Sequence, residues 1–223
     1  MKVLFVAEGP NEIGHPDMAP HPRPARGVVP ILTNKVAANV DVESLAIFWR
    51  EIPILPKEGK RRGWTAKVAA AMLLAWRNGL KGTICVSDKD RDDDRLPTME
   101  AGMVRGRNAI PGAHPAVCGV AVESIESWTL GAVSALATVL KVDCAAIHQN
   151  YKVADVEDFY QRSGKPEKRP KELLERIAQL GNETDSTEFR ERVAYVTAID
   201  ELTKSCPRGF KPLAEKLRSA FGP

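Results

Sequence analysis

Three short acidic stretches, each directly behind an apolar run, are the parts of this chain best suited to chemistry. Lys2-Val-Leu-Phe-Val-Ala7 leads into Glu8-Gly-Pro-Asn-Glu12, Gly82-Thr-Ile-Cys-Val-Ser87 into Asp88-Lys-Asp90-Arg-Asp-Asp-Asp94, and Ala116-Val-Cys-Gly-Val-Ala-Val122 into Glu123-Ser-Ile-Glu126. Carboxylates converging on one place repel one another unless a cation sits among them, and hard oxygen donors are what Mg²⁺ or Mn²⁺ requires. Each stretch alone has an ordinary explanation: a turn at Glu8-Gly9, a solvated loop at Asp88–Asp94, and acids complementing a helix dipole at Glu123 and Glu126. Their recurrence behind successive strands is what points to a shared metal site. If the chain stays extended past the strand, Asp88 and Asp90 project to the same side. Gly9 would let a phosphate approach the backbone closely.

A basic cluster supplies the complementary charge. Residues 57–67 hold Lys57, Lys60, Arg61, Arg62 and Lys67 against Glu58 alone. Carboxylates that hold a divalent metal, beside Lys60, Arg61, Arg62 and Lys67 able to hold phosphates, suggest a phosphodiester of nucleic acid as substrate. The same cluster would also suit a solvated loop. Trp49, Trp64 and Trp76 read as core or near-core. His15 and His21 lie in a loop that could enter the site, whereas His114 and His148 read as incidental.

The elements that must position these groups follow from the apolar pattern. The three runs above, with Leu45-Ala-Ile-Phe-Trp49, lack polar alternation, as expected of strands covered on both faces. Helical spacing separates or follows them. Trp64–Gly79 reads as one helix capped by Thr65, with Val68, Met72, Ala75 and Trp76 on its inner stripe. Ser124 reads as the cap of another, carrying Ile125, Trp128, Ala132, Val133, Leu136 and Leu140. The order βαβαβαβα predicts a parallel four-stranded sheet with right-handed crossovers, an α/β Rossmann-like fold whose ligands gather at the carboxyl ends of the strands. His15–Arg26, with four prolines, reads as an extended excursion. From about Asp143 the strand signal ends, and helices are expected at Pro170–Leu180, around Phe189–Leu202, and from Pro207. The expected organisation is an α/β domain over residues 1–142 with a helical C-terminal extension, 143–223, packed on it.

Composition bounds the function classes. A chain of 223 residues with 43% hydrophobic and 27% charged residues can bury a core, and a net charge of +3 is too small to argue for nucleic-acid binding without the local clustering. No apolar run reaches the roughly 18–20 residues of a membrane span, and the N-terminus carries no leader pattern, so a cytoplasmic protein is expected. Cys85, Cys118, Cys144 and Cys206 show no paired spacing, which argues against a zinc knuckle or disulfide framework.

Glu8-Gly9-x-x-Glu12 behind the first strand, with Asp88-x-Asp90 behind the third, resembles the TOPRIM fold of topoisomerases, bacterial primases and OLD-family nucleases. The chain is more closely similar to small stand-alone TOPRIM-like proteins encoded beside ATPases in bacterial anti-phage defence loci. Glu123-Ser-Ile-Glu126-Ser-Trp128 and Cys206-Pro207 with Phe210, Leu213 and Leu217 extend that likeness to both ends. The resemblance implies a TOPRIM-like sheet, Mg²⁺ or Mn²⁺ held chiefly by Glu8, Asp88 and Asp90, Glu12 as a second glutamate, and Glu126 with Glu123 completing a second metal site. It also implies a nuclease serving as effector of a defence system, with an ATPase as possible partner. The catalytic set would be Glu8, Glu12, Asp88 and Asp90, acting by a two-metal mechanism. One departure matters: the lysine that nucleases of this kind carry behind the last strand has no evident counterpart, and Lys60, Arg62 or Lys67 would have to replace it. Two other readings compete. The sheet could be a non-catalytic module binding nucleic acid, nucleotide or an ATPase. A receiver-like phosphoacceptor would use the Asp behind the third strand but needs a fifth parallel strand; a haloacid-dehalogenase phosphatase would place its D-x-D behind the first.

Overall fold

A computed structural model describes residues 1–14, 23–41, 43–53, 63–151, 153–159, 165 and 168–222. Its strands are β1 (Leu4–Ala7), β2 (Arg23–Pro24), β3 (Leu45–Phe48), β4 (Thr83–Asp88) and β5 (Ala116–Ala121). The helices are α1 (Pro10–Ile13), α2 (Val28–Val36), α3 (Trp64–Arg77), α4 (Arg95–Ala109), α5 (Glu126–Gly131), α6 (Val133–Leu140), α7 (Cys144–Asn150), α8 (Pro170–Gln179), α9 (Thr187–Val196), α10 (Ile199–Ser205) and α11 (Phe210–Phe221). The sheet order is β2-β3-β1-β4-β5. The four long strands are mutually parallel, as expected, and the proline-rich excursion adds the two-residue β2 antiparallel to β3 at one edge.

Alternate strand residues feed two separate cores. Phe5, Ala7, Phe48, Ile84, Val86 and Val117 face α2 and the helices beyond β5, while Leu4, Val6, Ile47, Cys85 and Cys118 face α3 and α4. Both faces are therefore dry, which is why the strands show no polar alternation. Cys85 and Cys118 stand in register on neighbouring strands, and all four cysteines are free. The C-terminal helices belong to the first core: Phe189, Leu213, Leu217 and Phe221 pack in the same cluster as Phe5 and Val117.

Several helices differ from the sequence expectation. Thr65 does not cap α3; Gly63 is the cap residue, and the Thr65 hydroxyl donates to the Thr98 carbonyl on α4. The inner stripe of α3 is Val68, Ala71, Met72 and Ala75, an i, i+3, i+4, i+7 set, and it leaves Trp76 outside at 42% exposure. The single helix expected from Ser124 breaks at Ala132 (φ −93°, ψ 57°). There Gly131 packs against Cys206, and Glu201 of α10 accepts from the Ser134 amide, satisfying the start of α6 from outside. The helix expected around Phe189–Leu202 is likewise two, since Thr197 is extended between α9 and α10, and Val196 faces outward. Among the described residues, no helix is long and apolar enough to cross a membrane.

Candidate active site

The sheet order sets the location. β1 has β3 on one side and β4 on the other, so the crossovers leaving it diverge, and the crevice at the carboxyl ends of β1 and β4 is the topological switch point. Glu8 follows β1, Asp88 ends β4, and Glu123 lies just beyond β5, so the three acidic stretches do share one rim.

Glu8 and Asp88 touch. The Ser87 hydroxyl donates to Glu8 Oε1 at 2.6 Å and the Asp88 amide donates to the same oxygen at 3.2 Å. Asp88 Oδ1 in turn accepts from the Ile125 amide at 2.9 Å, which ties β4 to the chain entering α5. Ser124, expected to cap there, donates to no backbone group and lies instead beside Glu126, whose charged form it favours. Burial pushes the Asp88 carboxyl well above its ordinary range, and the charges of Glu126, Glu8, Glu12 and Asp90 push it the same way. That set of neighbours is the expected constellation with Glu123 removed. Glu123 takes part through its carbonyl, which accepts from the Asp90 amide.

Asp90 reaches the rim by a different route from the extended one expected. The strand ends at Asp88, and Asp90 and Arg91 both take left-handed conformations (φ 49° and 58°), so the chain turns sharply and brings Asp90 Oδ2 within 3.8 Å of Arg95. Gly9 also acts differently. Its backbone is extended (φ −145°), and a Cβ there would stand 2.9 Å from Glu12 Oε2, so the end of the Glu12 side chain would have to shift. The close approach that glycine permits is to Glu12.

Glu12 and Glu126 form the buried floor. Burial, followed by the charge of Glu126, raises the Glu12 carboxyl. Burial would raise Glu126 too, but the Arg190 guanidinium, donating to Glu126 Oε1 at 2.8 Å, outweighs it and holds the group below its usual value. Arg190 also pairs with Asp185 through both Nε and Nη2, and Lys171 Nζ lies 4.0 Å from Glu126. Among the described residues, Glu12 Oε2 and Glu126 Oε2 are buried without a hydrogen bond of good geometry. A buried carboxylate oxygen left so is costly, and a bound cation is the natural remedy. Among the described residues, no three acidic, histidine or cysteine side chains stand close enough together to hold one ion as they are. The donor set nevertheless suits a hard divalent cation, being all carboxylate with orphaned oxygens at its base.

Two arginines central to this geometry were not foreseen. Arg95, the first residue of α4, directs Nη1 to Ser87 Oγ (2.9 Å) and the Asp88 carbonyl (2.7 Å), and its Nε to Asp92 (3.2 Å). It also lies 3.5 Å from Glu8. An arginine closing a run of aspartates was the available signal. Arg190 gave none, because its partner Glu126 is distant in the chain. Lys67, of the expected basic group, sits 4.6 Å from the Trp64 ring centre, and Lys60, Arg61 and Arg62 lie outside the described residues, as do His15 and His21. The chain matches no protein-family model, no curated protein and no solved structure.

Proposed function

We propose that this chain is a divalent-metal-dependent phosphodiesterase acting on nucleic acid, a nuclease of TOPRIM-like architecture serving in the cytoplasm as effector of an anti-phage system, with an ATPase as partner. The observation that carries the reading is the buried pair of orphaned oxygens on Glu12 and Glu126, two of the four carboxylates that raise Asp88 at the switch point. An acidic cluster by itself would be ordinary; buried carboxylate oxygens left without a well-formed hydrogen bond at its base are not.

When bound, Mg²⁺ or Mn²⁺ supplies acidification of the attacking water and charge stabilisation at the departing oxygen. Asp88, Glu8 and Asp90 would hold it from the rim, Glu12 and Glu126 from the floor. The remaining work falls to the chain. Ser87 and the Asp88 amide fix Glu8, and the Ile125 amide fixes Asp88, so neither ligand must be ordered on binding. Arg190 fixes Glu126 from α9. Glu12, whose carboxyl burial and the charge of Glu126 raise above its ordinary value, is suited to accept the proton of the attacking water. As the water oxygen bonds to phosphorus, the bridging P–O bond breaks and the leaving oxygen takes a proton from solvent.

The test is to incubate the protein with supercoiled plasmid, single-stranded DNA and tRNA, with Mn²⁺, with Mg²⁺ and with chelator. Cleavage dependent on metal and abolished in Asp88→Ala and Asp90→Ala supports the enzyme. Binding of these nucleic acids without cleavage under any metal would instead make the chain a binding module.

A further inference from the structure

Arg95 is unusual in how it is held. Its side chain is only 12% exposed, and its Cζ lies 4.7 Å from the centre of the Trp64 ring. It donates to Ser87 Oγ, to the Asp88 carbonyl and to Asp92, none of which belongs to the carboxylate set that would hold metal through a side-chain oxygen. Its contacts with Glu8 and Asp90, at 3.5 and 3.8 Å, are the longest it makes. A guanidinium stacked on an aromatic ring and bonded to a main-chain carbonyl is fixed, whereas a carboxylate on a flexible stem can turn. The four firm contacts therefore hold the cation in place, and the two long ones are those that can break: Asp90 by turning, and Glu8 by giving its charge to an ion while Ser87 and the Asp88 amide keep hold of Oε1.

We propose that Arg95 is the resident counter-ion of the rim: it balances Glu8 and Asp90 while no divalent cation is present, yields both carboxylates when one enters, and then offers the N–H groups of Nη2, which lies 3.8 Å from Asp90 and makes no hydrogen bond with it, to a phosphate oxygen of the substrate. The proposal rests on the metal-dependent reading above. It gives Arg95 two roles of opposite sign toward the two ligands. A fixed positive charge beside the ions opposes metal binding, and the same charge with its planar donors attracts a phosphodiester. A merely structural strut would have no such split, since its loss would loosen the site for both.

The experiment measures Mn²⁺ affinity of the full chain by the spin-resonance signal of free Mn²⁺, without nucleic acid. A single-stranded oligonucleotide is then titrated by fluorescence anisotropy with Ca²⁺ present. Arg95→Gln is expected to bind Mn²⁺ about tenfold more tightly than the wild type and the oligonucleotide about tenfold more weakly. Arg95→Lys keeps the positive charge but lacks the planar fork that serves Ser87, the Asp88 carbonyl and Asp92 at once. It is expected to show the same two shifts, smaller, and it decides the matter if Arg95→Gln does not fold. Mn²⁺ affinity that is unchanged or weaker in the folded variants, with the wild type binding normally, overturns the role of Arg95 alone. Absence of Mn²⁺ binding in wild type and variants alike overturns the metal reading and this proposal with it.

Discussion

Asp88 is under two opposing demands. Its Oδ1 is needed as the acceptor for the Ile125 amide, yet its charge is buried beside four other carboxylates that resist it. Because burial and these neighbours raise its folded-state pKa above the unfolded value, the metal-free native chain holds the proton more tightly. Its stability must therefore fall as pH rises between the two values. The penalty is complete above the folded value and gone below the unfolded one. Asp88→Asn removes the charge and keeps the acceptor. Metal-free D88N should thus be more stable than the wild type at pH 8, with the gain vanishing near pH 4, as read from urea midpoints across that range. A gain independent of pH would mean that charge is not the cause.

At the scale of elements, the site depends on how closely α3 and α4 approach, because Trp64 opens one and Arg95 the other. Gly102 sets that distance: a Cβ there would meet the Thr65 carbonyl oxygen and Val68 Cβ, each at 2.7 Å. Since one obstacle is backbone, Gly102→Ala should separate the helices and cost about 1–3 kcal/mol, checked by urea unfolding. The shift should also weaken oligonucleotide binding by disturbing the stack of Arg95 on Trp64. The parallel sheet was legible in the sequence because β1, β3, β4 and β5 are dry on both faces and so appear as unbroken apolar runs. The convergence of Glu8 with Asp88 followed from that sheet. The turn at Asp90 was not legible: aspartate enters the left-handed region more readily than most residues, but Arg91, which shares that geometry, carries no such signal. Nor was the break at Ala132 between α5 and α6, which depends on Cys206 and Glu201 arriving from a later part of the chain.

In the whole molecule, the C-terminal helices do more than cover the sheet. They complete the core on the face of Phe5 and Val117, and through Arg190 they reach the floor of the site. Arg190, Glu126 and Asp185 have side chains only 3%, 3% and 10% exposed. Removing the cation would strand two buried carboxylates. Arg190→Met should cost about 3–5 kcal/mol in urea unfolding, and adding Glu126→Gln should recover part of that loss. No recovery would mean that Arg190 acts through packing alone. This link joins the acidic rim to the region beyond residue 142, so the extension is part of the site's construction.

The central claim is that acids from β1, β4 and the start of α5 hold a divalent cation together. The most direct measurement is anomalous scattering from crystals soaked in Mn²⁺. The expected result is a peak about 2.0–2.4 Å from carboxylate oxygens of both Glu8 and Asp88, and no such peak in Asp88→Ala. Full-occupancy Mn²⁺ found only elsewhere, or none at this rim in millimolar Mn²⁺, would contradict it.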